Sequence, residues 1–253
     1  WKFDNPAGTY NNTAALFENS APNPISLAFV SRSTSTNDGI FSSSDKVLGT
    51  GSLYKSDATD RYGYLITPAN WLSQHFNTSK QATFSFWVKN TEGSAPYQHI
   101  FRQDSSFIIR HYGSSLQVYL APDNWSSYDI AATVIFTHNT WVYFTVVIDL
   151  RSGTSNDNVI KIYSNGQELT TTVSGNYSTY MIGNGFQNDS SHFRFLAGSG
   201  TTATSSFKGY LDDFRIYDKA LTQEEINTLY NVNQTPYTLT FDNPTECDIL
   251  IVG

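Results

Sequence analysis

FKGYLDDFRIYDKALTQEEI, residues 207–226, is the stretch that decides the fold class of this chain. It begins as an alternating strand, which Gly209 interrupts, and continues into a helix. Thr222 is a favourable helix N-cap residue, and Glu225 three positions later can complete a capping box. The pattern therefore predicts a strand that ends near Tyr217, followed by one short helix that ends near Tyr230.

The same stretch resembles the C-terminal signature of laminin-G-like, concanavalin-A-like jelly-roll domains, in which a G-x-I-D-D-x-R-I-Y strand runs into an A-L-S/T-x-E-E-I helix. Three more segments resemble landmarks of that family: TFSFWVK at 83–89, WVYFTVVID at 141–149 and KIYSNGQEL at 161–169. Their order and spacing match, so the resemblance covers about residues 62–231. It implies an all-β, antiparallel two-sheet β-sandwich with one short C-terminal helix, in a family that binds ligands more often than it cleaves them.

The composition agrees with a β-sandwich. Only 15% of the 253 residues are charged, 15% are aromatic, and Met occurs once. Strands joined by polar turns have this composition, whereas helices draw on Ala, Leu, Glu and Lys. Period-two alternation predicts strands at 26–30, 51–54, 62–67, 83–89, 106–112, 115–120, 128–135, 141–150, 159–163, 167–173, 192–196 and 207–217. Asn165 and Gly166 predict a type I′ hairpin turn between two of these strands.

Charge and cysteine content exclude several classes of function. A formal net charge of −7 and a pI near 5.1 argue against a nucleic-acid partner, which needs a basic face. No apolar run is long enough to cross a bilayer. Cys247 is the single cysteine, so no intrachain disulfide can form. Six N-x-S/T sequons are present, about as many as chance gives: Asn11, Asn77, Asn124, Asn176, Asn188 and Asn233.

The tetrapeptide FDNP occurs at 3–6 and again at 241–244. Either each copy opens a unit, so that a second module begins near Pro236, or the second copy is a terminal strand that pairs near the first. We therefore expect a β-sandwich over residues 1–235, and a linker or the start of a following module over residues 236–253. Tandem domains would favour an architectural role in a surface fibre, a capsid decoration or an adhesin stalk, at a cell or virion surface.

Catalysis is not expected from the acidic residues. A retaining glycosidase needs two carboxylates about 5 Å apart, which a strand supplies with acids at i and i+2 or i+4. Endoglucanase-like sandwiches carry these acids as an E-x-D-x-x-E run, and the sequence contains nothing of that form. Asp212 and Asp213 are adjacent and are predicted on opposite faces, while Glu224 and Glu225 lie in the first helical turn. The five histidines are scattered, without the spacing of a zinc site.

Asp212 raises the question of a metal ion. Strict alternation places it on the same face as Tyr210, Phe214 and Ile216, among apolar side chains. A buried carboxylate needs a partner, because the loss of hydration is costly. The sequence allows either a cation or protein donors as that partner.

Calcium is the cation we weigh, because it accepts carboxylate and amide oxygens flexibly and because the family resemblance implies it. A structural calcium would be held by Asp212 and Asp213, and the N-terminal Asp4 and Asn5 offer further oxygens. The alternative is that the two aspartates accept backbone N–H bonds or pair with Arg215.

Ligand contact requires exposed aromatic faces beside polar groups, since sugars present both C–H faces and hydroxyls. A turn-rich loop carries Trp125 and Tyr128, and an amide-rich loop carries Asn184, Asn188 and Asp189. The sequence therefore predicts a non-catalytic recognition or adhesion module of a larger surface protein, which binds carbohydrate or a protein partner through these two loops.

Other aromatic residues are less informative. Trp125 could instead fold over the edge of the sandwich. Tyr112 and Tyr119 lie on adjacent predicted strands and could line a concave face, which alternation alone does not decide. The remaining tryptophans that we predict as core residues are Trp71, Trp87 and Trp141.

Overall fold

The computed structural model describes residues 16–17, 27–30, 41–42, 44–49, 51–55, 64–92, 97–103, 106–120, 129–133, 137–173, 182–187, 190–196 and 205–232. These residues form two antiparallel sheets that pack face to face. The predicted fold class, an antiparallel β-sandwich, is therefore confirmed.

The elements follow in chain order. The strands are β1 (Leu16–Phe17), β2 (Leu27–Val30), β3 (Phe41–Ser42), β4 (Ser52–Lys55), β5 (Tyr64–Ala69), β6 (Gln81–Asn90), β7 (Gln98–Gln103), β8 (Phe107–Tyr112), β9 (Ser115–Leu120), β10 (Asp129–Thr133), β11 (Trp141–Asp149), β12 (Ile160–Ser164), β13 (Gln167–Glu168), β14 (Thr171–Val173), β15 (His192–Phe195) and β16 (Gly209–Tyr217). The helices are α1 (Trp71–Phe76), α2 (Asn156–Val159) and α3 (Gln223–Val232). One sheet has nine strands in the order β1-β2-β5-β15-β7-β8-β9-β10-β14, and the other has seven in the order β13-β12-β11-β6-β16-β4-β3.

Phenylalanine rings fill the space between the sheets. Phe84 and Phe86 of the seven-stranded sheet are fully buried, as the alternation of β6 predicts. Phe86 meets Phe101 of the facing sheet edge-to-face at 4.9 Å. Phe214 lies 4.6 Å from Phe101 and 4.9 Å from Phe195. Such edge-to-face contacts add to the burial of large apolar area and fix the distance between the sheets.

The decisive C-terminal stretch folds as predicted. Glu225 N donates to Thr222 Oγ1 (3.3 Å), and Thr222 N donates to Glu225 Oε2 (2.9 Å), which completes the capping box. Gly209 opens β16 at φ 142°, and a Cβ placed there would lie 2.0 Å from the carbonyl oxygen of Lys89. The glycine therefore allows β16 to approach β6 closely.

The strict alternation expected along β16 is wrong after Leu211, because a β-bulge intervenes. The register against β6 shifts between Asp212 and Arg215, and Asp213 takes a left-handed φ of 43°. The extra residue reverses the side-chain direction. Phe214 and Ile216 consequently pack on the core, and Asp212 does not share their face.

Two other expectations need correction. The alternation predicts one strand over residues 167–173, but the chain crosses between the sheets there, so that β13 joins the seven-stranded sheet and β14 the nine-stranded one. Strand β7 was not predicted, because its sequence QHIFRQ is mostly polar.

The type I′ turn at Asn165 and Gly166 is confirmed by φ values of 49° and 80°. Within the described part of the chain, no helix is long and apolar enough to cross a membrane.

Candidate functional site

The outer face of the nine-stranded sheet is built by the alternation of β8. Phe107 and Ile109 point into the core between the sheets. Ile108, Arg110 and Tyr112 therefore point to the opposite, outer face. This face carries two exposed tyrosines, together with basic side chains that are buried or half-buried.

Two stacked tyrosines form the most exposed aromatic surface of the described residues. The rings of Tyr97 and Tyr112 lie 4.4 Å apart at 19°, and the two residues are 43% and 40% exposed. The guanidinium carbon of Arg110 lies 4.8 Å from the centre of the Tyr97 ring. Arg110 Nε donates to Gln117 Oε1 at 2.7 Å. We call Tyr97, Arg110, Tyr112 and Gln117 the platform surface.

A buried polar network supports the platform surface from below. Asn90 Nδ2 donates to Gln98 Oε1 (3.1 Å) and to His111 Nδ1 (2.9 Å). Gln98 Nε2 in turn donates to Glu92 Oε2 (2.7 Å). Burial lowers the pKa of His111, which favours the neutral ring that can accept a hydrogen bond. Gln98 and His111 are chain neighbours of the two platform tyrosines, so this network fixes the strand ends that carry the rings.

The backbone at Tyr97 also contributes to the platform. Tyr97 has a φ of 43°, a left-handed conformation that costs of order 1 kcal/mol for a bulky residue. In this conformation Tyr97, the residue directly before β7, places its ring against the ring of Tyr112. The surrounding hydrogen bonds hold a conformation that the free chain disfavours.

Basic side chains occupy neighbouring positions on the same outer face. Arg194 of β15 is the cross-strand partner of Arg102 in β7, and His99 is the partner of Arg110 in β8. Burial, together with the nearby Arg102 and Arg110, lowers the pKa of His99 to about 3. We call His99, Arg102, Arg110 and Arg194 the arginine cluster, which holds three of the seven arginines in the sequence.

A second aromatic cluster lies on the outer face of the seven-stranded sheet. The rings of Tyr54 and Tyr210 stack at 4.4 Å and 23°, and Trp141 lies 6.0 Å from Tyr210. Trp141 Nε1 donates to Asp45 Oδ1 at 3.0 Å, and Lys89 forms an ion pair with Asp45. The Lys89 ammonium also lies 5.3 Å from the centre of the Tyr210 ring. We call these five residues the Trp141 cluster.

The three tryptophans predicted for the core differ in their surroundings. Trp71 packs within the core between the sheets. Trp87 is also buried, but on the outer face, where its ring lies 6.1 Å from Tyr230 of α3. The expectation for Trp141 is wrong, since that residue is half-buried at the start of β11.

Of the residues predicted to contact a ligand, Asn184 is exposed in a turn at the other end of the sandwich. Asn77 holds this turn, because Asn77 Nδ2 donates to Phe186 O (2.8 Å) and Phe186 N donates to Asn77 Oδ1 (2.6 Å). Gly183 N also donates to Leu150 O at 2.6 Å, just after the end of β11. Four other predicted contact residues lie outside the described residues: Trp125, Tyr128, Asn188 and Asp189.

The two aspartates proposed as metal ligands have protein partners. Asp212 Oδ2 accepts backbone N–H bonds from Val47 (2.7 Å) and Leu48 (2.9 Å). Asp212 Oδ1 accepts one from Asp213 N (2.7 Å), and Asp213 forms an ion pair with Arg215 at 2.9 Å. Burial raises the pKa of Asp212 to about 6, against the opposing effect of these three hydrogen bonds. This is the arrangement that the sequence left open as the alternative to calcium.

A calcium ion takes six to eight oxygen ligands. The part of the chain that the structure describes contains no group of three or more His, Cys, Asp or Glu residues that could hold a metal ion. A site at Asp212 and Asp213 would need more oxygens, such as those of Asp4 and Asn5, which lie outside the described residues. The calcium site stays a prediction.

A laminin-G family model, described as the concanavalin A-like lectin/glucanases superfamily, matches residues 59–227. No curated protein matches the sequence.

Solved structures with a similar fold include receptor-binding domains of bacterial toxins. The botulinum neurotoxin serotype C1 binding domain aligns with a TM-score of 0.61 and 18% identity, over 90% of this chain and 52% of that chain. The binding domain of botulinum neurotoxin DC in complex with rat synaptotagmin II aligns with 0.57 and 16%, over 87% and 51%. Botulinum neurotoxin type C, whose cell entry depends on interaction with two ganglioside molecules, aligns with 0.57 and 17%, over 87% and 51%. The chain thus spans about half the length of these structures, and the low identities make this a likeness of fold.

Proposed function

Because the chain belongs to the concanavalin A-like lectin/glucanases superfamily, we propose that it is a non-catalytic recognition module whose platform surface binds carbohydrate. The observation that carries the proposal is the exposed stack of Tyr97 and Tyr112, at 43% and 40% exposure. Sugar rings bury their C–H faces on aromatic rings, and their hydroxyls need hydrogen-bonding groups nearby. Arg110 and Gln117 supply a guanidinium and an amide beside the rings.

The arrangement of the stack indicates which ring meets the ligand. The Tyr97 ring already has two close neighbours, the Tyr112 ring at 4.4 Å and the Arg110 guanidinium at 4.8 Å. The far face of Tyr112 is then the one that a sugar would cover. Tyr97 serves as the support that keeps the Tyr112 ring upright.

The proposal of a non-catalytic role draws on the partners of the acidic residues. Described carboxylates that form ion pairs do so with these basic residues: Asp45 with Lys89, Glu92 with Lys208, Asp149 with Arg151, Glu168 with Lys161, Asp213 with Arg215 and Glu225 with Lys219. A glycosidase needs two carboxylates facing each other across a cleft. Carboxylates held by cations fit a binding module better than a hydrolase.

The proposal is tested with a glycan array and three variants. We expect Tyr112→Ala to weaken binding of the best array ligand at least tenfold, because the stacking face is lost, and Tyr112→Phe to retain most of the binding. Tyr54→Ala is the matched control, because Tyr54 belongs to the other tyrosine stack and should leave binding unchanged in the folded fraction. An array on which the wild type shows nothing above background, or a Tyr112→Ala variant that binds like the wild type, would overturn the proposal.

The predicted loops remain a second place for contact within the same function. Asn184 is exposed and its turn is held by the protein, while Trp125, Tyr128, Asn188 and Asp189 are still predictions. Alanine variants at Trp125 and Asn184, measured on the same array, decide whether either loop contributes. Binding that falls in these variants and not in Tyr112→Ala would move the site to the loops.

An architectural role is the second candidate function, and the repeated FDNP at 3–6 and 241–244 favours it. In that case the module would contact sibling domains in a surface fibre or adhesin stalk. Tandem copies in the full-length protein, together with an array that shows no glycan binding, would support this role. A catalytic domain attached to the module would instead support ligand recognition.

A further inference from the structure

We propose that the platform surface takes one terminal sugar unit of a glycan, seated above β9 against the Tyr112 ring, and does not bind the interior of a polysaccharide chain. This inference rests on the proposed carbohydrate-binding function and adds the class of ligand, a glycan that is recognised by its end. It follows from the row of residues that crosses the sheet at Tyr112 and from the burial of the sheet face beyond that row.

The stacked tyrosines belong to a row that crosses three strands. Ser115 of β9 is the cross-strand partner of Tyr112 in β8. On the other side of β8, Gln98 of β7 is the partner of His111. Tyr97 directly precedes Gln98, so it lies opposite Tyr112 on the side away from β9. The ring face of Tyr112 that Tyr97 leaves uncovered therefore points toward β9, above Ser115.

The position above Ser115 suits one flat ring. Neighbouring strands lie about 4.8 Å apart, and the rings of Tyr97 and Tyr112 are 4.4 Å apart, so each ring takes about one strand spacing. The side chain of Ser115 is too short to reach the height of these rings. Tyr112 is 40% exposed although Tyr97 covers one of its faces. A sugar ring stacked on Tyr112 would thus occupy the next position in the row.

An amide lies beside this position. Gln117 follows Ser115 by two residues on β9, so alternation puts both side chains on the outer face. Gln117 Oε1 accepts from Arg110 Nε at 2.7 Å, which orients the amide. Among the described residues, Gln117 Nε2 has no hydrogen-bond partner. We assign to Nε2 a hydrogen bond to a hydroxyl of the stacked sugar.

Burial closes the sheet side of the position. The next outward-facing pair along β8 and β9 is Ile108 with Tyr119, and these residues are 1% and 4% exposed. Exposure along β8 thus falls from 40% at Tyr112 to almost none at Ile108. A glycan that lies above Ser115 and Gln117 cannot continue over the buried pair.

The turn of the β8–β9 hairpin leaves the opposite side open. Gly113 and Ser114 form this turn and are exposed, and nothing lies within 4 Å of a Cβ placed on Gly113. The glycosidic bonds of a stacked pyranose lie near its ring plane, so they run along the strand or along the sheet normal. An internal unit that is linked through its opposite ends would direct one bond toward the buried pair or into the sheet. A terminal unit needs only the open side.

The first test scores the glycan array by the position of the sugar unit that the bound glycans share. We expect them to share a terminal unit, whatever follows it in the chain. Solution titrations then compare the disaccharide, tetrasaccharide and hexasaccharide of the cello-, galacto-, manno- and chito-oligosaccharide series. In a series that binds, the dissociation constant should change less than about threefold with length, with one domain bound per chain, because one unit makes the contacts.

The second test fills the proposed position. Ser115→Leu should weaken binding of the best array ligand at least tenfold, because its side chain takes the space of the sugar, and Ser115→Ala should bind like the wild type. Ser164→Leu is the matched control, since Ser164 is half-buried and adjoins the hairpin turn at Asn165 and Gly166 of the other sheet. Melting temperatures show whether each variant is folded. The array and the length series use the wild type alone, so they decide the proposal even if a variant does not fold.

The possible failures are distinct. Bound glycans that share an internal segment, affinity that rises tenfold or more from disaccharide to hexasaccharide, or several domains bound per chain would each overturn recognition of a chain end and leave carbohydrate binding intact. A folded Ser115→Leu variant that binds like the wild type would overturn the position above β9. If neither the array nor any oligosaccharide binds, the proposed function itself fails.

Discussion

Two pairs of stacked tyrosines lie on opposite faces of the same sandwich and differ in little except their neighbours. Tyr97 and Tyr112 stack at 4.4 Å and 19°, while Tyr54 and Tyr210 stack at 4.4 Å and 23°. A cation lies near one ring in each pair, at 4.8 Å in the platform surface and 5.3 Å in the Trp141 cluster. Ring geometry alone does not distinguish a binding surface from a structural one.

The difference lies in burial and in the partner of the cation. Arg110 donates to an uncharged amide, and the rings beside it are exposed. Lys89 pairs with the carboxylate of Asp45, which also accepts from an indole, and the rings beside it are half-buried. The first arrangement leaves aromatic area available to a ligand, and in the second the rings and the cation hold strands together.

A pair of glycines provides the largest expected contrast between the two regions. Gly209→Ala should cost more than about 4 kcal/mol of unfolding free energy, because its Cβ would lie 2.0 Å from the backbone oxygen of Lys89, beside the Trp141 cluster. Gly113→Ala, in the turn after Tyr112, should cost only about 1 kcal/mol, since nothing lies within 4 Å and only the φ of 59° is unfavourable. Chemical denaturation measures both, and equal losses would contradict the close approach at Gly209.

Truncating one large ring in each region should separate stability from binding. Trp141→Ala removes a half-buried indole and its hydrogen bond to Asp45, and we expect a loss of about 2 kcal/mol with glycan binding unchanged. Tyr112→Ala removes an exposed ring and should lower stability by less than about 1 kcal/mol while binding is lost. If Trp141→Ala abolished binding in the folded protein, the division between the two regions would be wrong.

The free energy of unfolding should decrease in acid through His99, which lies on the same outer face as the platform surface. Its pKa is about 3 in the folded protein, below the ordinary value of 6.5, so its contribution to stability is fully present above pH 6.5 and is lost as the pH falls. We expect wild-type stability to fall relative to His99→Gln by up to about 1.4 kcal/mol per pH unit below 6.5. Denaturant melts of both proteins at several pH values between 6.5 and 4 give the difference.

Asp212 titrates in the same pH range, so the effect of His99 is seen only as a difference between the wild type and the His99→Gln variant. Its folded pKa of about 6 lies above the ordinary value of 3.8, so it contributes stability at low pH that is lost as the pH rises through 6. The two groups thus act in opposite directions over much of the same range. A His99→Gln variant with the same pH slope as the wild type would contradict the assignment to His99.

The smallest expected effect is that of calcium chelation on the melting temperature, through Asp212 and Asp213 of the seven-stranded sheet. If Asp212 and Asp213 hold calcium, EDTA should lower the melting temperature by several degrees, because a ligand that binds only the folded state stabilises it by mass action. Adding calcium back should restore the melt, and Asp212→Asn should abolish the response. An unchanged melting temperature in EDTA would remove calcium and leave the observed N–H bonds and the Arg215 ion pair as the partners of the two aspartates.

The sequence predicted the parts of the fold that local chemistry decides. The capping box at Thr222 and Glu225 and the type I′ turn at Asn165 and Gly166 depend on residues close in the chain, and both are confirmed. The bulge at Asp213 was missed because nothing in the alternation of β16 marks an extra residue. It depends on the loop before β4, where Val47 and Leu48 donate to Asp212.

The platform surface was largely missed for a related reason. Tyr112 was named as a candidate for a concave face, but its stacking partner precedes β7, whose buried polar residues hide the strand alternation. The side chain of Gln98 can be buried because Asn90 and Glu92 form hydrogen bonds with it. These contacts exist only in the folded chain, so the sequence does not reveal them. The sequence around this strand shows only a mostly polar hexapeptide, residues 98–103, with Tyr97 directly before it.

The two hydrogen bonds between the Asn77 amide and the Phe186 backbone have a consequence for expression of the protein. Asn77 is the acceptor of an N-x-S/T sequon, yet both polar atoms of its amide already bond to the Phe186 backbone at 2.8 and 2.6 Å. An oligosaccharide added at Nδ2 would occupy the space of that backbone, so the folded domain is closed to the transferase at this site. In a secretory host, any modification there would precede folding and release the 182–187 turn, whereas Asn77→Gln would not be a harmless way to remove the sequon.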